Sequence, residues 1–127
     1  MIVSIGIDII EVARIREVLL RTPRFRERVF TPAERAYCDS RGAVSAQHYA
    51  VRFAAKEAML KALETGWRGG IGWQDVEVAA RDSGAPYLIL HGAVKDLFNS
   101  SGATAAHLSL SHTSEHAIAQ VILERVE

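Results

Sequence analysis

The sequence has a single cysteine, Cys38, among its 127 residues. It can form no intramolecular disulfide and no cysteine-based zinc site, and a reducing compartment fits. Proline occurs three times and never in a run. Nothing therefore reads as a linker, no repeat or low-complexity tract is visible, and one domain is expected over residues 1–127. Aromatic residues are 7% of the chain and rarely interleave with its arginines, which disfavours a surface for stacking nucleic-acid bases. Charge of one sign is also lacking: fifteen basic residues balance fifteen acidic ones, so no global field draws a polyanion or a membrane. No apolar run approaches the ~20 residues that span a bilayer. The apolar start, Met1–Ile5, lacks the basic residues and cleavage pattern of a signal segment, and Asp8 and Glu11 interrupt it. The expectation is a cytoplasmic protein, complete from Met1, without nucleic-acid or membrane partners. Its 49% hydrophobic content at this length allows a substantial core.

Residues 2–10 alternate, with Val3, Ile5, Ile7 and Ile9 on one face and Ser4, Gly6, Asp8 and Ile10 on the other. That period predicts a strand whose β-branched face meets the core. A helix follows over Glu11–Leu20 and is ended by Thr22-Pro23. Thr31-Pro32-Ala33-Glu34 has the form of a capping box with proline at the first helical position, and opens a helix that stops at Gly42. A long helix is predicted from about Ser45 to Thr65, with Gly66 as its left-handed stop and a glycine-rich loop over Trp67–Gly72. Gln74–Ala80 and Pro86–Leu90 read as strands joined by the turn Asp82-Ser83-Gly84. A short helix over Gly92–Ser101 and a final strand pair, His107–Ser111 and Ala117–Leu123, complete an α+β fold. Mostly antiparallel sheet packs on a long central helix.

The long helix carries the most information. Ala46, Ala50, Ala54, Ala58 and Ala62 form one stripe, and Tyr49, Phe53, Glu57 and Lys61 form the next. The helix is apolar nearly all round, so its charges need partners. Glu57 and Lys61 read either as an ordinary i,i+4 ion pair, or as a hard-cation ligand beside a group that meets phosphate. Asp8 is out of place in an apolar strand. It either caps the next helix or pairs with Arg14, or it joins a second carboxylate around Mg²⁺, an ion suited to one or two carboxylates plus phosphate oxygens. His107-Leu-Ser-Leu-Ser-His112 is either a polar strand edge or a phosphate contact, and its histidines do not have zinc spacing. Arg14, Arg16, Arg21, Arg24, Arg26 and Arg28 face only Glu17 and Glu27, which gives either a solvated surface or a dock for an acidic partner.

Taken together, Gly6-Ile7-Asp8-Ile9 with Arg14-Ile15, then Arg52-Phe53-Ala54-Ala55-Lys56-Glu57-Ala58 with Lys61-Ala62-Leu63, then Leu108-Ser109-Leu110-Ser111-His112-Thr113, resemble the holo-[acyl-carrier-protein] synthases, the small 4′-phosphopantetheinyl transferases. The resemblance runs the whole chain in order. Its most specific part is the Lys-Glu-Ala block with the downstream lysine. Phe30-Thr31 with Glu34, Trp73 with Asp75, and Gly84 with Pro86 fit more loosely, and Glu64 stands where the family often has glycine. The resemblance implies transfer of phosphopantetheine from coenzyme A to a serine of acyl carrier protein, in fatty acid biosynthesis, by a homotrimer with sites between subunits. It implies that Asp8 and Glu57 hold Mg²⁺ and that Lys61 lies beside the reacting phosphate. Arg52, Lys56, His112 and Thr113 would meet coenzyme A phosphates. Arg14, Arg21, Arg24 and Arg28 would face the carrier protein. A non-catalytic trimeric module that binds coenzyme A or a nucleotide is the alternative.

Overall fold

The computed structural model describes residues 1–127. Strand β1 (Ile2–Glu11) leads directly into helices α1 (Val12–Arg21), α2 (Pro23–Val29) and α3 (Pro32–Asp39). The long helix α4 (Ser45–Leu63) precedes the hairpin β2 (Val76–Ala80) and β3 (Pro86–Leu90), the helix α5 (Gly92–Ser100), and strands β4 (Ala105–His112) and β5 (His116–Glu124). One antiparallel sheet has the order β1-β5-β4, and β2 pairs antiparallel with β3 alone. The expected mixture of helices with antiparallel sheet is what forms.

Helix α4 crosses the inner face of the three-stranded sheet. Small residues set how close it comes: Ala50, Ala54, Ala58 and Ala62 are buried, and so are Ala117 and Ala119 on β5. Gly6 lies against the backbone of Ala58 and Ala62, and the Ser4 hydroxyl donates to the Ala62 carbonyl at 2.6 Å. The capping box at Thr31 and Glu34 forms as expected.

Three expectations need correcting. The isoleucine face of β1 does not meet the core. Ile5, Ile7 and Ile9 are 57%, 55% and 62% exposed, while Gly6 and Ile10 on the other face are buried. Alternation fixes two faces but not which one turns inward, and only the Gly6 face is flat enough to admit α4. Second, Pro23 begins a helix as well as ending one: it occupies the first turn of α2, where a missing N–H costs nothing. Third, α4 ends at Leu63 rather than Thr65. Glu64 adopts the left-handed conformation (φ 61°) two residues before Gly66, which is left-handed too.

Candidate active site

Two charged clusters lie along α4. The first joins α4 to β1. Asp8 shares the inner face of β1 with Gly6, and its side chain is only 16% exposed. The Lys61 ammonium sits 3.0 Å from Asp8 Oδ1 and 3.1 Å from the Ile7 carbonyl oxygen. Neither local pairing considered for these residues forms: Lys61 reaches across to Asp8 instead of to Glu57, and Arg14 is not paired with Asp8. Glu57 is half-buried one helical turn before Lys61 and accepts from Trp67 Nε1 at 3.4 Å. Burial pushes the Glu57 carboxyl above its ordinary range. The Trp67 hydrogen bond and Lys61 pull it down, and the neighbouring Asp8 charge pushes it further up. The two carboxylates therefore feel one another, while the one ammonium in reach is hydrogen-bonded to Asp8. Carboxylates and a main-chain carbonyl, without sulfur or imidazole, are a donor set for a hard cation. No three His, Cys, Asp or Glu side chains are grouped to hold a metal by themselves. The protein thus supplies two carboxylates, and a substrate and water would supply the rest.

The second cluster lies about half a turn round α4, since nine residues separate Arg52 from Lys61 and His48 from Glu57. A cleft of about 200 Å³ is lined there by Tyr37, His48, Arg52, Gly84, Pro86 and His112, among others. Arg52 is 5% exposed, its guanidinium lies 4.2 Å over the Tyr37 ring, and it has no carboxylate partner. One of its nitrogens donates to the His48 carbonyl at 3.4 Å, but Nε is buried and unpaired. Arg41 covers the same Tyr37 ring at 4.4 Å. His48 packs edge-on against His112 at 5.1 Å, and His112 Nδ1 lies 2.9 Å from Gln47 Oε1. Burial holds His48 below the usual imidazole range, and the Arg52, His112 and Arg41 charges add to this. Cationic groups gathered without a carboxylate form a site for an anion. A roomier cavity of about 360 Å³, between Leu88, Leu90 and Phe98, lacks any such gathering.

Other expected site residues fall elsewhere. Lys56 does not reach a phosphate. Its ammonium is wholly buried, 2.9 Å from Glu34 Oε1, and donates to the carbonyls of Trp73 (3.2 Å) and Val76. This is a correction: the side chain points into the protein because α3 supplies its countercharge there. The Thr113 hydroxyl oxygen accepts from the Glu115 and His116 amides and so shapes the β4–β5 turn. Arg14, Arg24 and Arg28 are exposed on α1 and α2, and Arg21 is held by Glu17 at 2.6 Å. His107, paired with Glu124 at 2.9 Å, lies on the outer sheet face with Ser109 and Ser111, away from both clusters. Sequence reasoning missed Trp67 and His48. His48 stood one helical turn before Arg52, a usable signal, whereas nothing local marked Trp67.

Paired carboxylates beside an ammonium, with a separate cationic cleft, are groups suited to a hard cation and a phosphorylated anion. Comparison with known proteins supplies the family. The model of the 4′-phosphopantetheinyl transferase superfamily matches residues 4–121, and the chain belongs to that superfamily. It is 47% identical to a holo-[acyl-carrier-protein] synthase of Koribacter versatilis over 98% of this chain and 99% of that protein. Its fold is similar to the crystal structure of a holo-(acyl-carrier-protein) synthase from Bacillus anthracis in complex with CoA (3′,5′-ADP), with TM-score 0.81, 41% identity and 99% of both chains covered. It is also similar to the crystal structure of holo-[acyl-carrier-protein] synthase from Neisseria meningitidis, with TM-score 0.86, 31% identity, and 98% of this chain and all of that one covered.

Proposed function

We propose that this protein transfers 4′-phosphopantetheine from coenzyme A to a serine hydroxyl of an acyl carrier protein, releasing adenosine 3′,5′-bisphosphate. The observation that carries the reading is the meeting of Asp8, Glu57 and Lys61 from a strand and a helix far apart in sequence. Asp8 and Glu57 would hold Mg²⁺, which when bound supplies positive charge to the pyrophosphate. In the transfer the serine oxygen bonds to the β-phosphorus and the bond to the α-phosphate oxygen breaks. Lys61 stays protonated and offsets charge on the reacting phosphate, because phosphoryl transfer depends on positioning and electrostatic stabilisation. Glu57 would take the serine proton, directly or through a water. Arg52, His112 and Thr113 would receive phosphates of coenzyme A. The exposed arginines Arg14, Arg21, Arg24 and Arg28 would meet the acidic carrier. A cytoplasmic location goes with this reading.

The assembly proposed is a homotrimer with sites between copies. Two observations support it. The carboxylate and arginine clusters lie on opposite sides of α4, so one copy presents each half of a site in a different direction. The outer sheet face also exposes Ile5, Ile7, Ile9 and Ile118, a stripe that a second copy would cover. The test is incubation with apo carrier protein, coenzyme A and Mg²⁺. The expected result is a carrier mass gain of one phosphopantetheine, and coenzyme A binding without that gain overturns the activity. Asp8→Ala and Arg52→Met, each inactive alone, should regain about one quarter of wild-type activity when equal amounts are mixed as subunits, since random mixing leaves that share of shared sites intact. No regain would mean that each copy holds a whole site.

A further inference from the structure

Trp67 lies in the loop after α4. Its indole N–H donates to Glu57 Oε1 at 3.4 Å, the one hydrogen bond that the Glu57 carboxylate accepts. The indole is itself held. Its ring centroid lies 3.6 Å from that of Trp73, and Trp73 stacks on Phe53 at 5.0 Å and 25°. Phe53 precedes Glu57 by one turn of α4, so these rings and the carboxylate share a side of the helix. Trp73 is anchored in turn, because the buried Lys56 ammonium donates to its carbonyl at 3.2 Å. Left-handed Gly66 (φ 59°) and Gly70 (φ 88°) flank Trp67 and let the loop fold back over α4.

We infer that Trp67 is a positioning residue whose indole N–H holds the Glu57 carboxylate toward Asp8, in the orientation that shares a divalent cation. The inference rests on the reading of Glu57 as a ligand of that ion. A half-buried carboxylate has few stable orientations. Lys61, one turn on, offers a competing one in which Glu57 makes an ordinary helical ion pair and turns from Asp8. The indole donor occupies Glu57 without neutralising it, so its full charge remains for the cation. The tilted contact with Trp73 also gives the donor its direction without cost to Lys61, which stays on Asp8.

The test uses the full chain loaded with coenzyme A, without carrier protein so that no turnover occurs, and Mn²⁺ as the probe, its binding followed by water-proton relaxation. Trp67→Phe retains a stacked ring. Replacement of Trp67 by the benzothiophene analogue of tryptophan retains the shape and removes only the N–H. Both should weaken Mn²⁺ about three- to tenfold, as expected for losing one long hydrogen bond to a charged group. Both should raise the Mg²⁺ concentration needed for half-maximal transfer. In a Glu57→Gln background the Trp67 substitutions should have no further effect on Mn²⁺. Wild-type Mn²⁺ affinity in the benzothiophene protein overturns the inference and leaves the metal reading standing, and so does a loss that persists in the Glu57→Gln background. Mn²⁺ affinity that Glu57→Gln itself does not change removes Glu57 as a ligand, and both readings fall together.

Discussion

At Gly6 strand β1 lies directly against the backbone of α4, and alanine there should damage both fold and site. A Cβ at Gly6 would stand 1.9 Å from the Ala58 carbonyl oxygen and 2.7 Å from the Ala62 nitrogen. Both obstacles are backbone atoms of α4, so no side-chain rotation relieves the clash. Ordinary contact begins at 3.4 Å, so β1 and α4 must separate by about 1.5 Å. Overpacking of this kind costs about 1–3 kcal/mol or more. For a chain of this size that lowers Tm by about 5–15 °C. Asp8 is the next residue on the same face of β1 and moves with the strand, away from Glu57 and Lys61. A displacement near 1 Å at a reacting centre costs about 100-fold in rate. Transfer by Gly6→Ala should therefore fall at least about 100-fold at a temperature where circular dichroism shows it folded. Gly69→Ala, whose Cβ meets nothing within 4 Å, serves as the control and should match wild type. A Gly6→Ala protein with wild-type Tm and rate would refute both the tight β1–α4 contact and the dependence of the site on it.

Lys56→Met strands the Glu34 carboxylate in the core and should cost about 3–5 kcal/mol, read as a fall in the urea midpoint; a loss under about 1 kcal/mol would contradict the buried pair. Glu64→Gly relieves a left-handed non-glycine residue and should add up to about 1 kcal/mol in the same assay, with transfer activity unchanged. The hydrogen bond from Arg26, with that of Tyr49, holds Asp39 below the usual carboxylate range. The stability it contributes is therefore present above about pH 4 and lost as pH falls below that. Asp39→Asn should lower Tm at pH 7 and by less as pH falls below about 4, whereas a constant difference across that fall would exclude the ion pair as its cause.

Much of the site was legible because its residues obey local periods. Strand alternation placed Asp8 opposite the isoleucines, and a spacing of four put Glu57 and Lys61 on one helical stripe. The inward face of β1 was not legible, since Val3, Ile5, Ile7 and Ile9 are what a core strand would show. Only the approach of the α4 backbone to Gly6, a contact 52 residues away in sequence, decides it. The partner of Lys56 was hidden for the same reason: Glu34 reads locally as a capping-box residue, and it fills that role while its carboxylate also faces the lysine across the core. Helix α2 was missed because proline marks a stop and a start equally well. Glu64 was noticed as a departure, but its left-handed backbone comes from the turn that follows α4 rather than from its own propensity.

The charges on α4 can be sorted by whether the fold itself answers them. A buried charge without a partner is too costly to persist unless something repays it. Lys56 has Glu34 and two carbonyls, a complete shell, and so its role is to join α3, α4 and the start of β2. Arg52 has an aromatic face, one long hydrogen bond and a buried unpaired nitrogen, an incomplete shell that an anion would finish. Glu57 has one indole donor and a neighbouring carboxylate that raises its charge cost, which a cation would repay. Three charged residues within two turns of one helix thus divide into one that the protein satisfies and two of opposite sign that it does not. A ligand combining a phosphorylated anion with a divalent cation would complete both incomplete shells.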